Sequence, residues 1–300
     1  MRGWRGHCGR TALASIALAP VPTVNNRFTD AKPKGLARER YWAPFGLWFL
    51  LLATLPAACG KRLEVAECNP EPKDDGSEDG GPTTATGFVF PWSTGFEVGF
   101  CEYVHPGGFC YRRGNATSEL VTSPVHSGNF AAAYTTYNDL GTQARCVRQG
   151  TFPKSAYYSA WFYLPPTKID SGNWNLIHIS GNDTPTSTAR GLWDVSVVEN
   201  GNGQLRLSVF NFIDSSLPPL TSATTIPTET WFHVVFYLNR ASDATGEVKL
   251  YQDDQLLLHL TGLVTDDSNW GQWYVGNYAT GLAPSQTTIY VDDVSLSPNP

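Results

Sequence analysis

From Phe88 onward, apolar and polar positions alternate with a period of two in short runs. The clearest are AAAYTTY (131–137), YYSAWFYL (157–164), WNLIHIS (174–180), LWDVSVV (192–198), QLRLSVFNF (204–212), WFHVVFYL (231–238), EVKLYQ (247–252), QLLLHL (255–260), QWYVGNY (272–278) and TIYVDDVSL (288–296). Such alternation places one face of each segment in a core and the other in water, the signature of half-buried strands. The breaks between them, PPTKIDSGN, ENGNG, SSLPPL, ASDATG and GLAPS, are rich in Gly, Pro, Asn and Asp, which supply turn geometry. No segment carries a helical period. The pattern predicts an all-β chain, a sandwich of two antiparallel sheets of jelly-roll type over 87–300.

Composition agrees: only 16% of residues are charged, 13% are aromatic, and there are 28 Gly and 21 Pro. The net charge of −6 averages two unlike parts. Eight basic and two acidic residues precede Cys59; 13 basic and 25 acidic residues make up the rest. An acidic body repels a phosphate backbone, which excludes nucleic acid as a partner. It also weighs against other strongly anionic ligands.

The N-terminal 58 residues read as a leader. Arg38 and Arg40 precede the apolar run FGLWFLLLATLPAA (45–58), too short to span a bilayer, and small residues stand before Cys59. This resembles the lipobox of bacterial lipoproteins, with Pro56 where an aliphatic residue is usual, and implies a diacylated Cys59. Residues 1–35 fit no part of an export signal, and a start near Leu36 gives a leader of ordinary length. Residues 59–86, with seven acids between Gly60 and Thr86, form a solvated tether. The expected product is exported and lipid-anchored at the bacterial envelope. The membrane is met through the anchor alone, and the body acts as a monomer.

Four cysteines follow the lipid position: Cys68, Cys101, Cys110 and Cys146. In an oxidising compartment a bridge is expected among Cys101, Cys110 and Cys146, with the pairing open. Zinc lacks a Cys-x-x-Cys or a His–Cys cluster.

The order WFHVVFYLN, GEVKLYQDDQLLLHLTGL and IYVDDVSLS, after TGFEVG (94–99) and VHSGNFAAAY (125–134), resembles the laminin-G-like and concanavalin A-like jelly rolls. The resemblance implies a groove on one sheet lined by aromatic and short polar residues. Trp174, His178, Asn211, Trp270, Trp273, Tyr274 and Tyr278 are the candidate ligand-binding residues. By alternation Trp174, Leu176 and His178 share one face, and Asn175, Ile177 and Ile179 the other. The resemblance also implies a structural Ca²⁺ fastening the domain's ends, held by Glu97, the turn around Asn129, and Asp292.

A further likeness is to alginate-lyase-type jelly rolls, which carry Arg-x-Glu-Leu, Gln-x-His and Tyr-Phe-Lys-x-Gly-x-Tyr strands in that order. Here SEL (118–120), LIH (176–178) and WYVGNY (273–278) follow the same order. That likeness implies β-elimination from a uronate, with His178 and Tyr278 moving protons. Leu176 stands for Gln, Thr117 for Arg, and the last motif has no Lys. Arg112, Arg113, Arg145 or Arg190 must then neutralise the carboxylate. A glycosidase lacks its run of acids, and a serine hydrolase its Gly-x-Ser-x-Gly turn. The leading expectation is a domain that binds carbohydrate without catalysis; a polysaccharide lyase is the alternative, and a protein-binding adhesion module the third.

Overall fold

The protein is described by a computed structural model for residues 89–300, apart from 105–106, 138–140, 171, 183–189, 215, 267 and 269. The leader, Cys59, the tether and Cys68 lie outside the described residues. So does the 183–189 loop. Among the described residues no helix is long and apolar enough to cross a membrane.

The chain forms β1 (Trp92–Thr94), one helical turn α1 (Cys101–Val104), β2 (Gly108–Arg113), β3 (Thr117–Val121), β4 (Ala131–Thr136), β5 (Gln143–Gly150) and β6 (Ser155–Tyr163). There follow β7 (Lys168–Ile169), β8 (Trp174–Asn182), β9 (Arg190–Glu199), β10 (Leu205–Asn211), β11 (Leu220–Thr225) and β12 (Trp231–Asn239). The last are β13 (Gly246–Gln252), β14 (Gln255–Leu263), β15 (Trp270–Ala279), β16 (Leu282–Ala283) and β17 (Thr287–Ser297). All ten segments with clear alternation are strands.

Two antiparallel sheets face each other. The first has the order β14-β13-β12-β6-β17-β4-β3, with β1 also paired to β17; the second runs β11-β10-β9-β8-β15-β5-β2. Alternation decides what goes between them. On β6, Tyr158, Ala160 and Phe162 are buried in the core, and on β12 Phe232, Val234 and Phe236 meet them. On the second sheet, Trp174, Ile177, Ile179, Trp193, Val195 and Trp273 fill the same layer. The indole of Trp193 donates to the Thr265 carbonyl at 2.7 Å, and that of Trp174 to Asn277 Oδ1 at 3.1 Å. A buried N–H without such a partner costs roughly 1–3 kcal/mol.

Cys110 and Cys146 are direct partners on β2 and β5 and are joined by a disulfide, with Cα atoms 4.0 Å apart. The closed loop spans 36 residues, worth about 4 kcal/mol by chain entropy. Cys101 is also disulfide-bonded.

Candidate functional site

The second sheet turns its other face away from the core, and an irregularity on β8 changes which side chains stand there. On β8, Asn175 pairs with Ser196 of β9 but Ile177 pairs with Val195, so Leu176 is an extra residue. One inserted residue reverses the parity of everything beyond it. Asn175 and His178 therefore share the outer face, while Trp174, Ile177 and Ile179 point into the core. This corrects the strict alternation read from the sequence. On β15 the register shifts between Val275 and Tyr278, where Gly276 has φ +150°. A Cβ at Gly276 would lie 2.3 Å from the Ala144 carbonyl, so only glycine lets β15 close against β5 there.

The outer face is a packed polar array. His178 Nδ1 lies 2.5 Å from Asp194 Oδ1, its direct partner across β9. A carboxylate only accepts, so Nδ1 is the donor, and in the neutral ring the lone pair sits on Nε2. Among the described residues Nε2 has no hydrogen-bond partner, and the side chain is 19% exposed. The His178 and Tyr274 rings meet edge-on with centroids 5.1 Å apart; Phe212 stands on the other side at 6.2 Å.

Arg145, from β5, lies over the same Tyr274 ring at 5.6 Å and over Tyr278 at 4.7 Å, within cation–π range. Its Nη2 donates to Asn175 Oδ1 at 2.7 Å. Among the described residues its other N–H groups have no partner, although Arg145 is buried. A guanidinium held by two aromatic rings and one amide, with spare donors, is pre-positioned for a carboxylate. Tyr274 Oη donates to Gln272 Oε1 at 2.5 Å, and Gln272 Nε2 reaches Gln149 Oε1 at 3.2 Å, tying β15 to β5. The Tyr278 hydroxyl has no partner among the described residues and its side chain is half-buried.

The structure separates the sequence-derived candidates. His178, Tyr274 and Tyr278 come together on this face. Trp174 and Trp273 are fully buried between the sheets, because each is on the core side of its strand, and neither lines a groove. Asn211 shares the side of Trp193 and Val209, and its Oδ1 accepts the N–H groups of Ile213 and Asp214, closing a turn. Trp270 is half-buried at the start of β15. The SEL segment lies on β3, at the edge of the first sheet, with Glu119 exposed, and so does not join LIH and WYVGNY. The strand beside β15 is β5, and of the four arginines considered it is Arg145 that meets this array.

Three residues of this array fall in no motif: Asp194, Asn175 and Arg145. Each is a polar side chain in mid-strand, where burial demands a partner, and that mismatch is the signal available in the sequence.

Of the residues expected to hold calcium, Glu97 and Asp292 each engage the 126–130 turn. Glu97 Oε1 accepts the N–H groups of Asn129 (2.8 Å) and Phe130 (3.1 Å), and Oε2 the side-chain amide of Asn129 (3.1 Å). Asp292 Oδ2 accepts the N–H groups of His126 (2.9 Å) and Ser127 (3.2 Å). The backbone N–H of Asn129, with help from Phe130 and its own amide, holds the Glu97 carboxyl below its ordinary value against the opposing effect of burial. Burial pushes Asp292 the other way. Gly128, at φ +65°, seats the turn on Glu97: a Cβ there would be 2.2 Å from Oε1. These are hard oxygens of the type calcium takes. Among the described residues no three His, Cys, Asp or Glu side chains are grouped as metal ligands.

No curated protein matches the chain. Among solved structures it is similar to an endo-β-1,4-glucuronan lyase from the fungus Trichoderma reesei: 19% identity, 62% of this chain and 90% of that one, TM-score 0.49. It is also similar to a marine alginate lyase from Aplysia kurodai: 9% identity, 68% of this chain and 97% of that one, TM-score 0.49. Residues 92–295 match the family model described as polysaccharide lyase. With two-thirds of its length inside that match, and its whole β-sandwich, the chain belongs to the polysaccharide lyase family.

Proposed function

We propose that the protein is a catalytic polysaccharide lyase that cleaves a uronate-containing glycan by β-elimination on the outer face of the second sheet. This replaces binding without catalysis as the leading reading. The observation that carries it is the meeting, on the Tyr274 ring, of a histidine with a free Nε2 and an arginine with spare donors. Elimination next to a uronate carboxyl needs both. Arg145, steadied by Asn175, takes the substrate carboxylate and lowers the cost of charge building on it as the C5 proton leaves. His178 Nε2 accepts that proton, with Asp194 holding the ring and stabilising the imidazolium that forms. The C5–H electron pair becomes the C4–C5 double bond, the bond from C4 to the bridging oxygen breaks, and Tyr278 gives that oxygen a proton. His178 then returns its proton to solvent and Tyr278 is reprotonated.

Mass spectrometry of oligosaccharides released from glucuronan, alginate and polygalacturonate tests this. Elimination leaves new non-reducing ends lighter by one water than hydrolysis does; intact polymer in all three, or hydrolytic ends, contradicts the proposal. We further propose that Ca²⁺ at Glu97, Asn129 and Asp292 fastens the ends of the sandwich, and that diacylated Cys59 carries the body on a membrane. The first rests on the Glu97 and Asp292 carboxylates engaging the 126–130 turn, the second on the leader sequence. Metabolic labelling with a fatty acid that is lost in a Cys59→Ser variant checks the anchor.

A further inference from the structure

The outer face of the first sheet is built from different material. Along β6 and β12 the outward positions are Tyr157, Ser159, Trp161 and Tyr163, and Trp231, His233, Val235 and Tyr237, each registered against the neighbouring strand. Trp161 is stacked between two imidazoles, His126 at 3.7 Å and His233 at 4.9 Å between ring centroids. Beyond it Trp231 meets both His126 and Tyr163 edge-on. These rings form a rigid wall, since each is locked by the next.

Beside that wall the sheet drops into a cavity of about 340 Å³, at the small end of the range for ligand pockets. Its floor is made of small hydroxyl residues from three adjacent strands: Ser93 on β1, Ser159 on β6, and Ser295 and Ser297 on β17. Ser159 and Ser295 are direct strand partners and bond to each other at 2.8 Å. A β-bulge between Asp292 and Ser295 turns Asp293, at φ 43°, out to the rim. There it is pinned by His126 Nδ1 at 2.6 Å and the Ser127 hydroxyl at 2.9 Å. Among the described residues, the Ser93 hydroxyl, the Trp161 indole N–H and the His233 ring make no hydrogen bond. All three line the cavity.

From this geometry we propose a second, non-catalytic saccharide site: the cavity receives one unit of a neutral polysaccharide. The His233 ring and the Trp161 edge, a floor of hydroxyls and unengaged ring N–H groups match a pyranose, which offers apolar C–H patches and equatorial hydroxyls together. The cavity is lined by a carboxylate, Asp293, and by no Arg or Lys, so it offers a uronate no cation and suits a neutral glycan, where the second sheet presents a guanidinium. A chain with both sites would hold a neutral matrix on one face while the opposite face acts on an acidic glycan.

The test is affinity electrophoresis of the full-length protein in gels containing glucomannan or galactomannan, beside three variants. Retardation of the wild type by at least one polymer is expected. Ser93→Leu fills the cavity from an exposed edge position and is expected to weaken retention at least tenfold with an unchanged melting midpoint. Ser297→Leu fills it from the neighbouring strand and should do the same. His178→Asn, on the opposite sheet, should retain the wild-type mobility shift, which separates this site from the proposed catalytic one. The proposal is overturned if neither polymer retards the protein, if both Leu variants bind as the wild type does, or if His178→Asn abolishes binding.

Discussion

The two outer faces of this sandwich are made by the same alternation and carry opposite chemistry. On the second sheet, buried amides and hydroxyls pack around Arg145 and the His178–Asp194 pair, and the ionic group with spare donors is a cation. On the first sheet, aromatic rings and histidines stack around Trp161, and the charge at the cavity rim is Asp293. The backbone irregularities differ accordingly. The extra residue at Leu176 brings Asn175 and His178 to the face that Tyr274 and Tyr278 reach by plain alternation; the bulge before Ser295 sends Asp293 to the rim of the other. A strand pair alone offers a face; an inserted residue decides what that face presents.

The largest expected effect is on the second sheet. Replacing His178 with Asn should lower the lyase rate by about 10²–10⁴-fold, the usual contribution of a general base, with neutral-glycan retention unchanged. Steady-state kinetics on a polyuronate measures the first and gel mobility the second. Arg145→Ala should cost about 10²–10³-fold in kcat, as loss of one charge-stabilising group does. Arg145→Lys should recover little of it, because a point charge cannot reproduce the planar fork.

Trp273 sharpens the line between core and site. Trp273→Ala should destabilise the protein by about 3–5 kcal/mol in urea titrations. A raised KM with unchanged stability would instead put that side chain in the groove. Calcium probes the chain-end clamp: at a hundred times its Kd it should stabilise chelator-treated protein by about 2.7 kcal/mol, and the gain should vanish in Glu97→Gln.

The smallest effect is a pH dependence on the first sheet. Burial holds His233 below its ordinary value of 6.5, with nearby His126 acting the same way and Asp254, Asp253 and Asp293 opposing. A group with a depressed folded pKa binds more protons when unfolded. Its stabilising effect is therefore present above pH 6.5 and is lost as pH falls through the folded value. The melting midpoint should fall on acidification below 6.5, and less so in His233→Gln.

Much of the fold was legible, because a half-buried strand writes its period into the sequence. The strand that mattered most was not. In QARCVRQG, β5, all eight residues are buried and polar side chains occupy both faces, Arg145 outward and Arg148 into the core, so no alternation shows. The insertion at Leu176 was equally invisible: an extra apolar residue in an apolar strand changes no composition, yet it moves Trp174 and His178 to opposite faces. SEL misled for a related reason. Three residues specify no sheet, and β3 pairs with β4 at the far edge of the first one. His178 and Tyr278 were found through motif order, but the choice of Arg145 among four arginines needed the register of β5 against β15.

The most direct measurement follows ultraviolet absorbance of the unsaturated product during incubation with a polyuronate and with the same polymer after reduction of its carboxyl groups. Unsaturated ends should accumulate from the polyuronate alone, since Arg145 has no carboxylate to engage in the reduced polymer. Absence of product from every polyuronate offered, or equal cleavage of the reduced polymer, would contradict β-elimination at this face.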